Sequence, residues 1–169
     1  MQSLNGTWKL ALDSKNIGRQ EQWFAAVRPE AQDAPVPGII QQVFPDCYGV
    51  AWYWRTFTPQ QNAGSDERYL LSFNAVDYIA DVWVNGQPVG GHEGSETPFV
   101  LDVTGAIKPG QENLLAVRVL NPTDDPIDGV KLAEIPHRNK EAREYMPGRS
   151  YNVGGIIDRV TLTAAPAVR

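Results

Sequence analysis

A single cysteine, Cys47, stands in 169 residues, so the chain can close no disulfide within itself and assemble no thiolate zinc cluster. One thiol is compatible with either redox compartment. Basic runs are missing and the formal net charge is −5. That balance argues against nucleic acid as a partner, because phosphate binding needs a concentrated positive face. No apolar run approaches the roughly 20 residues of a membrane-crossing helix, so no membrane partner is expected. The opening residues Met1-Gln2-Ser3-Leu4-Asn5-Gly6 hold neither a basic nor an apolar stretch, and no signal peptide is expected. Apolar residues at helical spacing are scarce too: residues 19–26 and 39–44 allow single helical turns at most. No internal repeat is found, and no cofactor is expected.

What is present reads as short strands. The composition is ordinarily globular, with 42% hydrophobic residues and a mean hydropathy of −0.34. Fifteen glycines and 13 prolines punctuate β-like runs. Residues 6–13 alternate, with Trp8, Leu10 and Leu12 on one face. Residues 51–58 form a run dense in aromatics, closed by Pro59, while Pro35, Pro37 and Gly38 mark an irregular crossing before it. Further strands are predicted over 68–73, 78–84, a hairpin return through Val89, 99–102, 113–121 and 159–163. The clearest local signal is Asn85-Gly86, since both residue types tolerate the positive φ that a two-residue type I′ hairpin requires. About eight short strands predict an all-β sandwich or jelly roll.

Several side chains invite functional readings. Asp77, Asp81, Glu93 and Glu96 lie among strands and turns, where capping competes with catalysis as their role. His92 reads either as a base or as a hydrogen-bonded loop histidine. Asp124, Asp125 and Asp128 cluster hard oxygen ligands but lack the alternating pattern of an EF-hand, so a solvated turn competes with a metal loop and no metal is assigned. Trp8 and Trp83 belong with the core. Trp52 and Trp54, two apart on one strand, share a face that either packs inward or offers rings for sugar stacking. Residues 122–151 carry no strand or helix pattern, and connections of that length are usually functional or disordered. Within them, 136–143 is locally basic in an acidic chain.

Taken in order, Leu4-Asn5-Gly6-Thr7-Trp8, Val36-Pro37-Gly38, Trp52-Tyr53-Trp54-Arg55-Thr56-Phe57, Val82-Trp83-Val84-Asn85-Gly86, His92-Glu93-Gly94, Thr97-Pro98-Phe99, Asp102-Val103-Thr104 and Gly155-Ile156 form an ordered series. It resembles the N-terminal sugar-binding domain of glycoside hydrolase family 2, the family of β-galactosidases, β-glucuronidases and β-mannosidases. The resemblance implies a galactose-binding-like jelly roll over 1–163, with 164–169 starting a linker. Its partners would be an immunoglobulin-like domain and a catalytic (β/α)₈ barrel of the same enzyme, with a β-glycoside as substrate. The catalytic glutamates of the family sit on that barrel, one following an asparagine. This chain contains no Asn-Glu pair and is too short for a barrel of about 250 residues, so no catalytic residue is assigned in it.

The resemblance also implies that the 122–152 stretch reaches the rim of the barrel's site, which makes His137, Arg138, Arg149, Tyr151 and Asn152 the rim candidates. Galactosidases and glucuronidases of the family place a sugar-contacting aspartate six residues before the closing glycine; counting back from Gly155 gives Arg149. Ile157 replaces the usual aromatic, and Asp158-Arg159 inverts the common order. Arg149 suits a carboxylate or hydroxyl-rich substituent, because guanidinium binds carboxylates bidentately; a solvent-facing arginine is the alternative. An autonomous carbohydrate-binding module and a purely structural sandwich remain alternatives to the accessory role. Enzymes of this family occur in cytoplasm, periplasm and outside the cell, with the last two slightly favoured here.

Overall fold

The computed structural model describes residues 1–61, 66–135 and 152–167. Their strands, in chain order, are β1 (Gln2–Ser3), β2 (Gly6–Leu12), β3 (Gln32–Val36), β4 (Gly49–Phe57), β5 (Glu67–Phe73), β6 (Val76–Asp77), β7 (Ile79–Val84), β8 (Gln87–Glu93), β9 (Phe99–Asp102), β10 (Asn113–Asn121), β11 (Gly155–Ile156) and β12 (Val160–Pro166). Single 3₁₀ turns at Trp23–Ala25 and Ile40–Gln42 fall where single turns were expected, and a third lies at Leu132–Glu134.

Every strand pair is antiparallel. A six-stranded sheet runs β3-β2-β4-β10-β7-β8, a four-stranded sheet runs β1-β12-β5-β9, and β6 and β11 form a separate pair. Alternation decides what lies between the sheets. Trp8 and Leu10 of β2, Ala51 and Tyr53 of β4, and Leu115, Val117 and Val119 of β10 meet Leu71 and Phe73 of β5, Phe99 of β9, and Val160 and Leu162 of β12. Burying each large apolar side chain contributes roughly 1.5–3 kcal/mol, so this layer dominates the stability. The all-β sandwich expected from the sequence is the architecture found.

At its centre, in β4 and β10, the large sheet is buried on both faces. The opposite face of β4 and β10 carries Val50, Trp52, Trp54, Ala116 and Leu120, and the excursion between β2 and β3 folds over it through Ile17, Trp23 and Phe24. Phe24 stacks on Trp83 at 5.1 Å, and the Trp54 indole donates to the Trp23 carbonyl at 2.8 Å.

Four strands were not foreseen. Three are two-residue pairings, and the fourth, β3, contains Pro35. Proline donates no ladder hydrogen bond, and β3 escapes that penalty as the outermost strand of its sheet. The hairpin forms at the expected place, with Asn85 at φ 51° and Gly86 at φ 77°. Its return strand runs on to Glu93, four residues beyond Val89. Gly91 makes that extension possible, because a Cβ there would lie 2.5 Å from the Ala80 carbonyl oxygen. The last strand also continues past Thr163, with Ala164–Pro166 pairing with Tyr69–Glu67.

Candidate functional site at one end of the sandwich

Strand register brings the relevant residues to one end. Asn121 at the close of β10 faces Gly49 at the start of β4, Leu120 faces Ile79 at the start of β7, and Leu12 at the close of β2 faces Ala51. Pro122 and Asn152, the first and last residues of the 122–152 stretch, both lie here.

Both ends of that stretch are tied by one set of amides. Asn121 is wholly buried. Its Nδ2 donates to Asn152 Oδ1 at 2.9 Å, and its Oδ1 accepts from Gln41 Nε2 at 2.8 Å. Gln41 Nε2 also donates to the Cys47 carbonyl, and Gln41 Oε1 accepts from the Gly154 amide at 3.2 Å. Asn152 Nδ2 donates to the Pro122 carbonyl at 2.9 Å. Departure and return of the chain are therefore hydrogen-bonded to each other. A buried amide left unpaired costs about 1–3 kcal/mol, so the satisfied set holds its geometry.

The first part of the stretch is fixed by charge. Asp128 and Gly129 take φ of 51° and 79° in a tight turn between Ile127 and Val130. Asp128 accepts two hydrogen bonds from Arg19 at 2.9 Å, one from Arg118 at 2.8 Å and one from Asn16 at 2.9 Å. Arg118 is only 1% exposed; it also donates to Asn16 Oδ1 at 2.7 Å and to Asp81 at 3.4 Å, while its Nε has no partner among the described residues. Burial works against ionisation of Asp128, but the Asn16 hydrogen bond and the charges of Arg118 and Arg19 outweigh it and hold its pKa below the ordinary value. Leu132 and Ile135 then pack against Tyr78.

These placements sort the sequence expectations. Asn152 is at the root of the stretch. His137, Arg138, Arg149 and Tyr151 lie outside the described residues. Trp52 and Trp54 are 0% and 1% exposed beneath Trp23, Phe24 and Trp83, so neither ring presents a face to a sugar. Asp128 spends its oxygens on arginine and amide donors, and Asp124 and Asp125 do not join it in a ligand set; among the described residues no three His, Cys, Asp or Glu side chains gather around a possible ion. His92 shares a hydrogen bond with Thr97 at 2.7 Å and stacks on Phe99, as a structural loop histidine would. Gln41, Asn121 and Arg118 were missed by sequence reasoning. Their partners are 80, 31 and 102 residues away in the chain, beyond any local pattern.

Two packed antiparallel sheets with a hydrogen-bonded polar end define a jelly-roll β-sandwich module, whose described polar groups brace both roots of the 122–152 stretch. A sequence model described as "Glycosyl hydrolases family 2, sugar binding domain" matches residues 39–166, and the chain belongs to that family. It is similar to a β-glucuronidase of Paenibacillus borealis, 32% identical over 126 residues, covering 72% of this chain and 21% of that protein. A β-galactosidase of Thermoanaerobacter pseudethanolicus is 42% identical over 71 residues, 41% of this chain and 9% of that protein. Among solved structures, a β-glucuronidase from Ruminococcus gnavus in complex with uronic isofagomine superposes with a TM-score of 0.78 at 27% identity, covering 98% of this chain and 28% of that one. A β-glucuronidase from an uncultured Clostridium species gives 0.76 at 30% identity, covering 98% and 29%. The chain spans about a fifth of the length of the curated relatives it matches over most of its own length.

Proposed function

We propose that this sugar-binding domain serves a retaining exo-β-glycosidase of the glucuronidase and galactosidase kind as its non-catalytic N-terminal part, with the 122–152 stretch contributing to the rim of a catalytic barrel's site. The observation that carries this reading is the family match over 39–166, joined to relatives that are themselves glycosidases several times longer. The tied roots at Pro122 and Asn152 support it physically: residues that meet a substrate from a connection need a rigid base. His137, Arg138, Arg149 and Tyr151 are the proposed rim side chains, and an immunoglobulin-like domain and a barrel are the proposed partners.

Turnover of aryl β-glucuronides and β-galactosides tests the proposal. The 169-residue chain alone should be inactive, whereas a polypeptide joining it to a barrel with an Asn-Glu pair should hydrolyse at least one of them. Within that longer enzyme Arg149→Ala should raise KM for the preferred glycoside, and an unchanged KM across the panel would remove Arg149 from the rim. Turnover by the pure chain alone would overturn the non-catalytic assignment.

A further inference from the structure

Two connections far apart in the chain rest on one bed. The excursion between β2 and β3 lays Ile17, Phe24 and Ala31 on the outer cluster of β4 and β10, and the stretch after β10 lays Ile127 and Val130 on the same cluster. Among the described residues, no backbone hydrogen bond joins the two. Each is internally closed instead. The Glu21 amide donates to the Ile17 carbonyl at 2.9 Å and the Trp23 amide to the Gly18 carbonyl at 2.8 Å. In the other connection, Ile127 and Val130 exchange hydrogen bonds at 3.0 and 2.9 Å, and the Leu132 amide donates to the Thr123 carbonyl at 2.9 Å.

Side chains around Asp128 join them. Its carboxylate accepts one hydrogen bond from Asn16 and two from Arg19, both on the excursion, and one from Arg118 beneath. Arg118 Nη2 divides its donors between Asn16 Oδ1 and Asp128 Oδ2, one acceptor on each connection, so Asn16, Asp128 and Arg118 close a ring. Asn16 is held for this at φ 53°, a left-handed conformation that asparagine tolerates, with its amide bonded to the Asp13 carbonyl at 3.0 Å. The guanidinium at the base of the ring is 1% exposed and already carries one donor, Nε, without a partner among the described residues. Opening halfway is therefore unfavourable. If either connection lifts alone, a buried cation loses an acceptor and the connection left behind loses its hydrogen bonds. Lifting both together lets water reach every member of the ring.

We propose that residues 14–31 and 123–135 form one cooperative unit, latched through Asp128, that opens and closes as a whole over a sandwich that stays folded. The excursion is then a second support of the stretch, and whatever lifts Arg19 loosens Asp128, 109 residues away in the chain. This coupling holds whatever the stretch meets.

Native-state hydrogen exchange of the 169-residue chain, in urea below the unfolding transition, tests the unit. The Glu21 and Trp23 amides on one side and the Ile127, Val130 and Leu132 amides on the other should open with one free energy and one urea dependence. Both quantities should be smaller than those of the Val117 and Val119 amides in β10. Arg19→Met, at a half-exposed position, should raise the opening equilibrium of both sets about threefold to tenfold, because a charge-assisted hydrogen bond partly open to water keeps only part of its buried strength. Asp128→Asn should reproduce the effect from the other side, as reciprocal coupling requires. Lys9→Met, which breaks the exposed pair with Asp33 on β3, should move neither set. Different urea dependences for the two sets, or an Arg19→Met effect confined to residues 14–31, would overturn the coupling. A Lys9→Met effect on both sets would overturn the latch, and an equal shift of the β10 amides would overturn the separate unit.

Discussion

Arg118 shows how much of this molecule depends on single side chains. Its guanidinium is inside the protein, and three acceptors on separate segments converge on it: Asn16, Asp81 and Asp128. Removing one member of a wholly buried ion pair costs about 3–5 kcal/mol. Asp128 is 32% exposed, so water recovers part of that loss. Arg118→Ala should therefore lower unfolding stability by about 2–3 kcal/mol in urea titration, and Arg118→Lys should restore little of it, because an ammonium cannot reproduce the planar fork. Acid sensitivity follows from carboxylates with lowered pKa values. Asp102 falls from an ordinary 3.8 to about 2, first through its hydrogen bond with Thr104 and then through Arg68. Asp128 is lowered as well. A folded pKa below the unfolded one stabilises the chain above the unfolded value and loses that contribution as pH falls through the folded value. Melting temperature should hold near neutrality and drop between about pH 4 and pH 2, and Asp102→Asn should flatten part of the drop.

At the scale of elements, the two-residue strand β11 is more demanding than its length suggests. Gly155 has φ 142°, and a Cβ there would lie 2.7 Å from the Tyr53 hydroxyl and 2.9 Å from the Gly38 carbonyl oxygen. Gly86 in the hairpin also has positive φ, but open space surrounds it. Gly155→Ala should cost on the order of 3 kcal/mol, combining overpacking with strain, and Gly86→Ala about 1 kcal/mol, as read by chemical denaturation. The hairpin was legible in the sequence because its cause is two adjacent residues. The shared face of Trp52 and Trp54 was legible because strands have period two. What covers that face was not, since Trp23 and Phe24 arrive from an excursion with no periodic pattern of its own. β3 was hidden by a proline that only its outermost position excuses. At the candidate site, family resemblance singled out Asn152 as a rim side chain and not as the tie to Asn121 and Pro122 that it forms, and Gln41 and Asn121 matter through contacts that only folding creates.

Across the whole molecule, the long apolar side chains left exposed among the described residues are Met1, Val27 and Val100. A broad exposed apolar patch marks a surface normally covered by a partner, and these three residues, far apart in the chain, do not make one. Contacts between domains of one chain are commonly polar, so the proposed neighbours would meet this module through hydrogen-bonding surface. The outer covering of the large sheet has a separate consequence. Of the five tryptophans, Trp8 belongs to the layer between the sheets and the other four to the outer cluster. Trp52 lies with its ring centroid 5.0 Å from Trp83 and 6.4 Å from both Trp23 and Trp54. Transition dipoles that close couple, so absorbed light is shared among the four indoles before it is emitted. The near-ultraviolet dichroism and the fluorescence of this chain are thus weighted toward one layer: four indoles report whether residues 17–31 are seated, and Trp8 alone among the tryptophans reports on the larger core beneath them.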